Sequence, residues 1–288
     1  MDIDFRPDPS LFPFESRFFE SSAGRVHYID EGSGSPIVFL HGNPTWSFLY
    51  RDIIKGLSDS FRCIAIDYPG FGLSDRPDNY GYTPIEHAQV VGELTDHLDL
   101  EGFLMMLQDW GGPIGLKVAC DRAPRVRGLI LGNTWFWPLD ELNVKFFSKI
   151  MSSGFMQRQI IENNFFVERL YPMGHARRPP PHVMDHYRKV QPSPAARTGV
   201  AVFPRELMNS RPLLEELWAS VPRELGSKPV LIVWGLRDMA FRPRTISRIE
   251  DVFSDVHVVP LRNASHYLQE DAPEEIVEAI RDRFAPKG

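Results

Sequence analysis

The chain has 288 residues, of which 43% are hydrophobic and 24% are charged, and its net charge at neutral pH is -6. This length and composition fit one large α/β domain with an insertion, or at most two domains. The acidic balance offers no basic surface for nucleic acid or an anionic membrane. No apolar run approaches the roughly 18 residues that a membrane-spanning helix needs.

The N-terminus and the cysteines indicate where the protein resides. Residues Met1–Pro7 lack the basic start and the apolar core of a secretory signal. Cys63 and Cys120 both lie in apolar stretches, so we expect small core residues and no disulfide bond. Together these features predict a cytoplasmic protein.

Short β-rich runs alternate with helical periodicity over most of the chain, which predicts a mostly parallel sheet with helices on both faces. The predicted strands are Arg25–Asp30, Pro36–Leu40, Arg62–Asp67, Phe103–Leu107, Val126–Leu131, Pro229–Trp234 and Val256–Pro260. The predicted helices are Thr83–Leu98, Pro113–Ala123 and Pro273–Phe284. Because no helix separates the first two strands, we expect them to pair antiparallel across residues 31–35.

The alternation of strands and helices stops between residues 134 and 226. That segment is rich in aromatic residues, contains the proline run Pro179–Pro181 and shows no convincing strand. Ligands of open parallel sheets bind at the carboxyl ends of the strands, so a helical insertion there would close a dry pocket. We therefore predict a core domain in two parts, residues 1–133 and 227–288, with a helical cap over residues 134–226.

An aspartate lies at a predicted strand–turn–helix junction, where hydrolases of this architecture usually carry serine. In Gln108–Gly112, Asp109 is at the tip of the turn, beside the unpaired N–H groups of a helix start. A carboxylate is ionised at neutral pH and attacks carbon without first losing a proton. By itself an Asp before two glycines is as often a helix cap. Leu107 replaces the first glycine of the usual turn sequence, whereas Gly111 is retained.

Three further polar motifs follow predicted strands and therefore fall on the same edge of the sheet. His41–Pro44 follows the second strand, Asp238 follows the sixth, and His266 follows the last. The chain order Asp109, Asp238, His266 is the nucleophile–acid–histidine order of α/β-hydrolases. An acid that fixes the tautomer of a histidine base completes a catalytic triad. The combination, more than any single residue, indicates covalent catalysis by aspartate.

Three segments resemble the haloalkane dehalogenase family: His41–Ser47, Asp67–Asp75 and Gln108–Pro113. The similarity runs from about residue 15 to residue 285 and is weakest in the insertion. It implies the α/β-hydrolase fold and cofactor-free, metal-free hydrolysis of neutral halogenated alkanes. Epoxide hydrolases and fluoroacetate dehalogenases share the aspartate nucleophile. Their residue before it is typically histidine instead of Gln108, and fluoroacetate dehalogenases tend to carry arginine where this chain has Trp110.

The resemblance also implies a role for each candidate residue. Asp109 would be the nucleophile, His266 the base and Asp238 the acid that orients it. The indole of Trp110 and the side-chain amide of Asn43 are N–H donors that would stabilise the leaving halide. The backbone N–H groups of the same two residues would hold the oxyanion. The partners would be a small apolar halogenated substrate, water and the halide ion.

Some roles have more than one candidate. Certain relatives carry the acid after the strand that precedes the cap, where Asp140 and Glu141 are the available alternatives to Asp238. An additional halide donor could come from one of three tryptophans in the insertion: Trp135, Trp137 or Trp218. Four residues of the insertion are predicted to line the substrate pocket, although packing of the cap explains them almost as well: Phe165, Phe166, Phe203 and Pro204.

Two other functions and a metal site are alternatives to this interpretation. An epoxide hydrolase needs donors for the leaving epoxide oxygen, which Tyr171 and Tyr187 in the cap could supply. A binding protein with this fold commonly lacks a catalytic residue, whereas all three are present here. His182 and His186 have a spacing that suits zinc on a helix, but no compatible third ligand accompanies them, so no metal is expected.

Overall fold

The computed structural model describes residues 5–285, so part of the segment assessed for a signal sequence lies outside the described residues. Eight strands form a single sheet in the order β1-β2-β4-β3-β5-β6-β7-β8. Their bounds are β1 Arg17–Ser21, β2 Gly24–Glu31, β3 Ser35–Leu40, β4 Phe61–Ile66, β5 Phe103–Asp109, β6 Val126–Thr134, β7 Pro229–Gly235 and β8 Asp255–Leu261. Each of the seven predicted strands corresponds to one of these within a few residues, and β1 was not predicted.

The predicted antiparallel pairing of the first two predicted strands, which are β2 and β3, is wrong. β2 pairs antiparallel with β1 and with β4, where Tyr28 lies opposite Ile66. β3 instead pairs parallel with β4 and β5, and parallel pairing continues to β8. The reason lies in burial: residues 37–40 are fully buried, as expected of a central parallel strand covered on both faces. The connection takes the chain past β4, with Gly32 at a φ of +81°.

Twelve α-helices flank this sheet in the described part of the chain. Their bounds are α1 Arg51–Leu57, α2 Pro84–His97, α3 Gly111–Asp121, α4 Leu142–Met151, α5 Gly154–Asn163, α6 Tyr171–Met173, α7 Pro181–Lys189, α8 Thr198–Asn209, α9 Arg211–Leu225, α10 Arg244–Glu250, α11 Leu268–Asp271 and α12 Pro273–Phe284. The three predicted helices correspond to α2, α3 and α12. At the start of α2 the side chains of Thr83 and Glu86 each bind the backbone N–H of the other, a capping box that fixes where the helix begins.

Alternating side chains of the central strands fill two separate apolar clusters, one on each face of the sheet. On one face Leu107 packs with residues of α2, α3 and α9, and on the other Met106 packs with residues of α1 and α12. Cys63 is buried and Cys120 is partly buried, and both are free thiols, as expected. Among residues 5–285, none of the helices has the length and apolar character needed to cross a membrane.

All secondary structure between β6 and β7 is helical, and we refer to residues 135–228 as the helical insertion. It comprises α4 to α9 with a π-helical turn at Phe166–Leu170. A buried polar contact ties it to the core. The carboxylate of Glu270 on α11 accepts hydrogen bonds from Tyr187 at 2.7 Å and from Tyr171 at 3.3 Å, and pairs with both terminal nitrogens of Arg51 at 2.6 Å. This network joins the insertion to α1 and α11 of the core.

Candidate active site

The turn after β5 holds Asp109 in a backbone conformation that side chains rarely adopt, with φ at +52°. Neighbouring glycines make room for it. A Cβ on Gly42 would lie 2.2 Å from Asp109 Oδ1, and a Cβ on Gly111 would lie 2.3 Å from the carbonyl oxygen of Leu40. Strain of this kind concentrates at functional sites because it projects one side chain in a fixed direction. The turn therefore presents the Asp109 carboxylate at the sheet edge, as the sequence predicted.

Leu107 occupies the position where the usual turn sequence has glycine, and the structure explains why it fits. Its side chain is fully buried and packs against α3 at Gly115. A Cβ on Gly115 would lie 2.3 Å from Leu107 Cδ2, so a glycine on the helix compensates for the leucine on the strand. The turn is thus compatible with Leu107 on the strand because the facing helix has a glycine, Gly115, at the point of contact.

Two backbone N–H groups converge on the Asp109 carboxylate. The N–H of Asn43 donates to Oδ1 at 3.0 Å, and the backbone N–H of Trp110 lies close enough to this carboxylate to lower its pKa. The loop that carries Asn43 is held by two buried hydroxyls that the sequence analysis did not identify. Tyr50 donates to the carbonyl of Leu40 at 2.7 Å, and Tyr68 donates to the carbonyl of His41 at 2.9 Å. This pair of N–H donors has the arrangement of an oxyanion hole.

His266 lies between the two carboxylates that the sequence analysis grouped with it. Its Nδ1 is 2.8 Å from Asp238 Oδ2, and its Nε2 is 3.7 Å from Asp109 Oδ2. Asp238 is itself fixed, because Oδ1 accepts the N–H of Ala240 at 2.7 Å and Oδ2 accepts the side-chain amide of Asn133 at 2.9 Å. The structure therefore brings together Asp109, Asp238 and His266 with the connectivity of a triad.

The alternative acids lie elsewhere. Asp140 is exposed and pairs with Lys145 at 3.2 Å and Arg211 at 2.9 Å, and Glu141 is also exposed at the start of α4. The end of β6, where certain relatives have the acid, carries Asn133, which donates to Asp238. The amide at that position is part of the support for Asp238.

The electrostatics of the three groups follow from burial and mutual contact. Burial raises the pKa of Asp109 above its ordinary value, opposed by His266 and the two backbone N–H donors. Burial also acts to raise the pKa of Asp238, but the interaction with His266 outweighs it and the pKa lies below its ordinary value. For His266, burial disfavours the charged ring, yet Asp238 and Asp109 together leave its pKa above 6.5.

The predicted halide donors lie next to Asp109, in an aromatic wall. Trp110 is 4% exposed and packs edge-on against Trp135, with ring centroids 4.8 Å apart. The side-chain amide of Asn43 donates to the carbonyl of Val200 on α8 at 3.3 Å, which leaves its second N–H uncommitted. Of the three tryptophans considered as additional donors, Trp135 contacts Trp110, and its buried indole N–H has no partner among the described residues.

The other two tryptophans pack together at a distance from this wall. The rings of Trp137 and Trp218 are 6.0 Å apart, and the Arg248 guanidinium lies over both of them, 4.3 Å and 4.7 Å from their centroids. Trp218 is 38% exposed. Their indoles belong to the junction of the insertion with α10.

The four predicted pocket residues are placed differently from one another. The ring of Phe203 lies 5.2 Å from that of Trp110, so α8 of the insertion reaches the site. Phe166 is buried and Phe165 partly buried in the same apolar cluster. Pro204 is buried inside α8, where its carbonyl accepts the hydroxyl of Ser148 at 2.7 Å. Of these four residues, only Phe203 has a described ring contact with the candidate halide site.

The residues considered for epoxide hydrolysis and for zinc binding have hydrogen-bond partners other than Asp109. Tyr171 and Tyr187 both donate to Glu270, so neither hydroxyl is free to protonate an epoxide oxygen. His186 Nε2 accepts the N–H of Asp8 at 3.0 Å, and its Nδ1 is 2.8 Å from the carbonyl of His182. Over residues 5–285 there is no cluster of three or more potential metal ligands.

Gln108 also contacts the candidate base His266. From the sequence, Gln108 served only to distinguish the chain from related families. Its side chain is fully buried, and its amide nitrogen lies 3.2 Å from His266 Nε2 and 3.1 Å from the His266 carbonyl oxygen. No spacing rule connects residue 108 with residue 266. The signal available in the sequence was a polar residue at the end of an otherwise apolar strand, where burial requires a hydrogen-bond partner.

Comparison with known proteins agrees with this geometry. A profile of the α/β hydrolase fold family matches residues 35–273. Over 285 residues the chain is 59% identical to haloalkane dehalogenase 2 of Mycobacterium tuberculosis (strain ATCC 25618 / H37Rv), which covers 99% of this chain and 100% of that protein. It is 31% identical over 276 residues to cis-3-alkyl-4-alkyloxetan-2-one decarboxylase of Xanthomonas campestris pv. campestris, with 89% and 91% covered.

A solved structure gives the same result for the fold. Haloalkane dehalogenase DbeA from Bradyrhizobium elkani superposes with a TM-score of 0.87 at 27% identity, covering 93% of this chain and 97% of that one. The fold and the family predicted from the sequence are therefore confirmed. With 59% identity along nearly its whole length, the chain belongs to the haloalkane dehalogenase family within the α/β-hydrolase fold.

Proposed function

We propose that this protein hydrolyses carbon–halogen bonds in small neutral halogenated alkanes through an ester formed on Asp109. One observation carries the proposal. Asp109 Oδ1 is held by the N–H of Asn43 at 3.0 Å, while Oδ2 lies 3.7 Å from His266 Nε2 on the other side of the carboxylate. One oxygen is thus prepared to become an ester carbonyl, and the other is free to attack carbon. The membership of the haloalkane dehalogenase family supports the same reaction.

In the first step Asp109 Oδ2 attacks the carbon that bears the halogen. A carbon–oxygen bond forms, the carbon–halogen bond breaks, and the electron pair leaves with the halide. The halide needs no proton but needs its charge stabilised. The indole N–H of Trp110 and the second amide N–H of Asn43 are neutral donors for that purpose in an apolar setting. Neutral donors stabilise the developing charge without retaining the ion as a lysine would.

In the second step His266 Nε2 takes a proton from water, and the resulting hydroxide attacks the Asp109 carbonyl carbon. The negative charge passes to Oδ1, which the backbone N–H groups of Asn43 and Trp110 stabilise. Collapse of this intermediate releases the alcohol with an oxygen that came from Asp109. The net products are alcohol, halide and one proton, and no cofactor or metal takes part.

The charges around Asp109 favour a neutral substrate. No described lysine or arginine side chain makes an ion pair with Asp109 or Asp238. Trp110 stands where fluoroacetate dehalogenases tend to have arginine. A substrate carboxylate would therefore meet two acidic groups with no lysine or arginine to offset them, at a cost that increases with burial. Small apolar halides avoid this cost.

The helical insertion is proposed to act as the cap over this site. We divide the chain into core residues 1–133 and 227–288 with a cap over residues 134–226, in which Phe203 is the best-supported pocket residue. Phe165, which is partly buried, and the buried residues Phe166 and Pro204 remain proposed pocket residues of the insertion. A cytoplasmic location is also proposed, consistent with two free cysteines.

Epoxide hydrolysis by the same nucleophile receives less support. It requires a donor for the leaving oxygen, and the two tyrosines considered for that role are both committed to Glu270. Releasing them would leave the buried Glu270 carboxylate with only Arg51 as a partner, which is costly. The binding-protein alternative is disfavoured because Asp109, Asp238 and His266 are all present and connected.

The test is halide release from 1-bromobutane and 1,2-dibromoethane by purified protein, with diol formation from an epoxide measured alongside. Asp109→Ala is expected to abolish bromide release, and Asp140→Ala, which changes an exposed aspartate, is expected to preserve it. Bromide release that persists in the Asp109 variant would contradict the proposal. Diol formation without bromide release would point to the epoxide reaction.

A further inference from the structure

Gln108 contacts the candidate base on the ring nitrogen that the reaction uses. The side-chain nitrogen of Gln108 is 3.2 Å from His266 Nε2 and 3.1 Å from the carbonyl oxygen of the same residue. A carbonyl oxygen only accepts hydrogen bonds, so the second contact fixes which end of the amide faces His266. The NH₂ group therefore points at the base, and its second hydrogen is directed to Nε2.

The protonation of the ring follows from its other partner. Nδ1 of His266 lies 2.8 Å from Asp238 Oδ2, a carboxylate oxygen that accepts, so Nδ1 carries the proton. The neutral ring then has its lone pair on Nε2. Asp109 Oδ2, at 3.7 Å, is beyond hydrogen-bonding distance from Nε2. The Gln108 amide is thus the hydrogen-bond partner of this lone pair.

The charged and titratable neighbours of His266 act in different directions. Asp238 and Asp109 favour the protonated ring. His175, from the helical insertion, interacts unfavourably with a charged His266, and burial lowers the pKa of His175 itself. Tyr267 packs edge-on against the ring and stays protonated, because burial raises its pKa well above 10. A proton on Nε2 would face the NH₂ group of Gln108, donor against donor, so Gln108 opposes the protonation that the two carboxylates favour.

The other end of the amide carries a cost. Oε1 of Gln108 is buried and has no hydrogen-bond partner among residues 5–285. A buried carbonyl without a partner is destabilising, and an apolar residue of similar size would avoid that cost. Filling space therefore does not account for glutamine at this position. The contacts with His266 do.

We propose that Gln108 is a positioning residue that holds the His266 ring in place and keeps its Nε2 unprotonated until the ester has formed. This inference rests on the proposed function. A protonated ring beside Asp109 would pair with the nucleophile and weaken its attack on carbon. Once Asp109 is esterified it has lost its negative charge, and the neutral ring is ready to take the proton of the attacking water.

The experiment separates the two chemical steps by rapid mixing with 1,2-dibromoethane across a pH series. Gln108→Leu and Gln108→Met both remove the donor, and Gln108→Glu replaces it with an acceptor. In the donor-free variants the burst of bromide should persist at neutral pH. The acid limbs of the burst rate and of the hydrolysis step should both move up by about one pH unit. Gln108→Glu should move both limbs further, because a carboxylate stabilises the protonated ring.

Gln191→Leu is the matched control, since Gln191 also has a buried amide with one carbonyl acceptor, Pro44 at 3.1 Å, and an unpaired Oε1, but no contact with His266. Its acid limb should coincide with that of the unmodified protein. The inference is overturned if the donor-free variants, shown to be folded by thermal unfolding, keep the original acid limb or lose rate equally at every pH. Two donor-free variants are used so that misfolding of one leaves the other.

Failure of the proposed function would look different. If His266→Gln, which cannot hydrolyse the ester, released no bromide and the unmodified protein gave no burst of about one bromide per active site, the ester mechanism itself would be rejected. If the unmodified protein gave that burst while the Gln108 variants kept its pH profile, only the positioning role would be rejected.

Discussion

Two histidine–aspartate pairs in this molecule have the same bond and different surroundings. Nδ1 of His266 is 2.8 Å from Asp238 Oδ2, and Nδ1 of His27 is 2.8 Å from Asp67 Oδ2. Both carboxylates also accept backbone N–H groups, from Ala240 in one case and from residues 47 and 73 in the other. The pair alone therefore does not define a catalytic site.

The difference lies at the second ring nitrogen. Nε2 of His27 is 3.1 Å from the hydroxyl of Ser16, an exposed residue just before β1, whereas Nε2 of His266 faces Asp109 at the carboxyl ends of the strands. Two backbone N–H groups and an aromatic wall accompany Asp109. The histidine of such a pair can act as a base when its second ring nitrogen faces a reacting group in a site that stabilises charge. The buried pair at residues 27 and 67 instead ties β2 to the loop after β4.

The largest effect is expected when each histidine is replaced by glutamine. His266→Gln should let Asp109 be alkylated but block hydrolysis, reducing turnover by about 10⁴-fold or more. Bromide release should stop after one equivalent, and mass spectrometry should detect the alkylated protein. His27→Gln should retain turnover and instead lower the free energy of unfolding by about 1–3 kcal/mol, because a buried carboxylate loses one of its hydrogen-bond partners. Similar losses of turnover in both folded variants would contradict the assignment of one pair to catalysis and the other to stability.

Replacing the two aspartates tests the same contrast at the carboxylates. Asp238→Asn should reduce turnover by about 10³–10⁴-fold, since the amide no longer fixes the tautomer of His266 or stabilises its charged form. Asp67→Asn should act mainly on stability, measured as a lower midpoint of urea unfolding. A folded Asp238→Asn protein with unchanged turnover would show that another group, such as Glu141, orients the base.

Removing a halide donor leaves both pairs intact and probes only the environment of the catalytic one. Trp110→Phe keeps an aromatic ring beside Phe203 but loses the indole N–H, so the alkylation rate should fall by about 10²-fold. The rate is measured as the bromide burst. Trp218→Phe, at the surface of the insertion, is the matched control and should leave the burst unchanged. An equal effect of the two substitutions would remove Trp110 from the halide site.

The smallest expected effect is a change in pH dependence. Turnover needs neutral His266, whose pKa lies above 6.5, so the acid limb of the rate profile should be centred above that value. The same pKa shift affects stability in the opposite direction, since turnover rises with pH whereas this contribution to stability falls. Because the pKa of His266 is raised in the folded state, the protonated ring stabilises the folded protein fully below about pH 6.5. This contribution is lost as the pH rises through the pKa of the folded state. Comparing urea unfolding of the unmodified protein and His266→Gln across pH 5–9 measures this; an acid limb below pH 6 would contradict the account.

The sequence was informative where local chemistry decides structure. Strands β3 to β8 are apolar runs bounded by turns, and the helix at Pro84–His97 begins with a capping box that a reader can identify. Because parallel strands end at one edge, residues that follow them meet, which is why the sequence alone groups Asp109, Asp238 and His266. Their chemistry required no knowledge of long-range packing.

Long-range placement could not be derived in the same way. The strand order β2-β4-β3 depends on which strand is buried on both faces, a property of the whole sheet. The amide contacts of Gln108 with His266 and of Asn133 with Asp238 join residues more than 100 positions apart and follow no spacing. The packing of the insertion decides which of its aromatic residues reaches Trp110, and helical periodicity identifies only which face is apolar.

The central claim is that Asp109 forms a covalent ester and that water attacks its carbonyl carbon. A single turnover of 1,2-dibromoethane with excess protein in ¹⁸O-labelled water tests it most directly. The account predicts that the alcohol contains unlabelled oxygen from Asp109 and that mass spectrometry finds one ¹⁸O in the peptide carrying this residue. Label in the alcohol with none in the peptide would mean that water attacks the substrate directly, and would contradict the account.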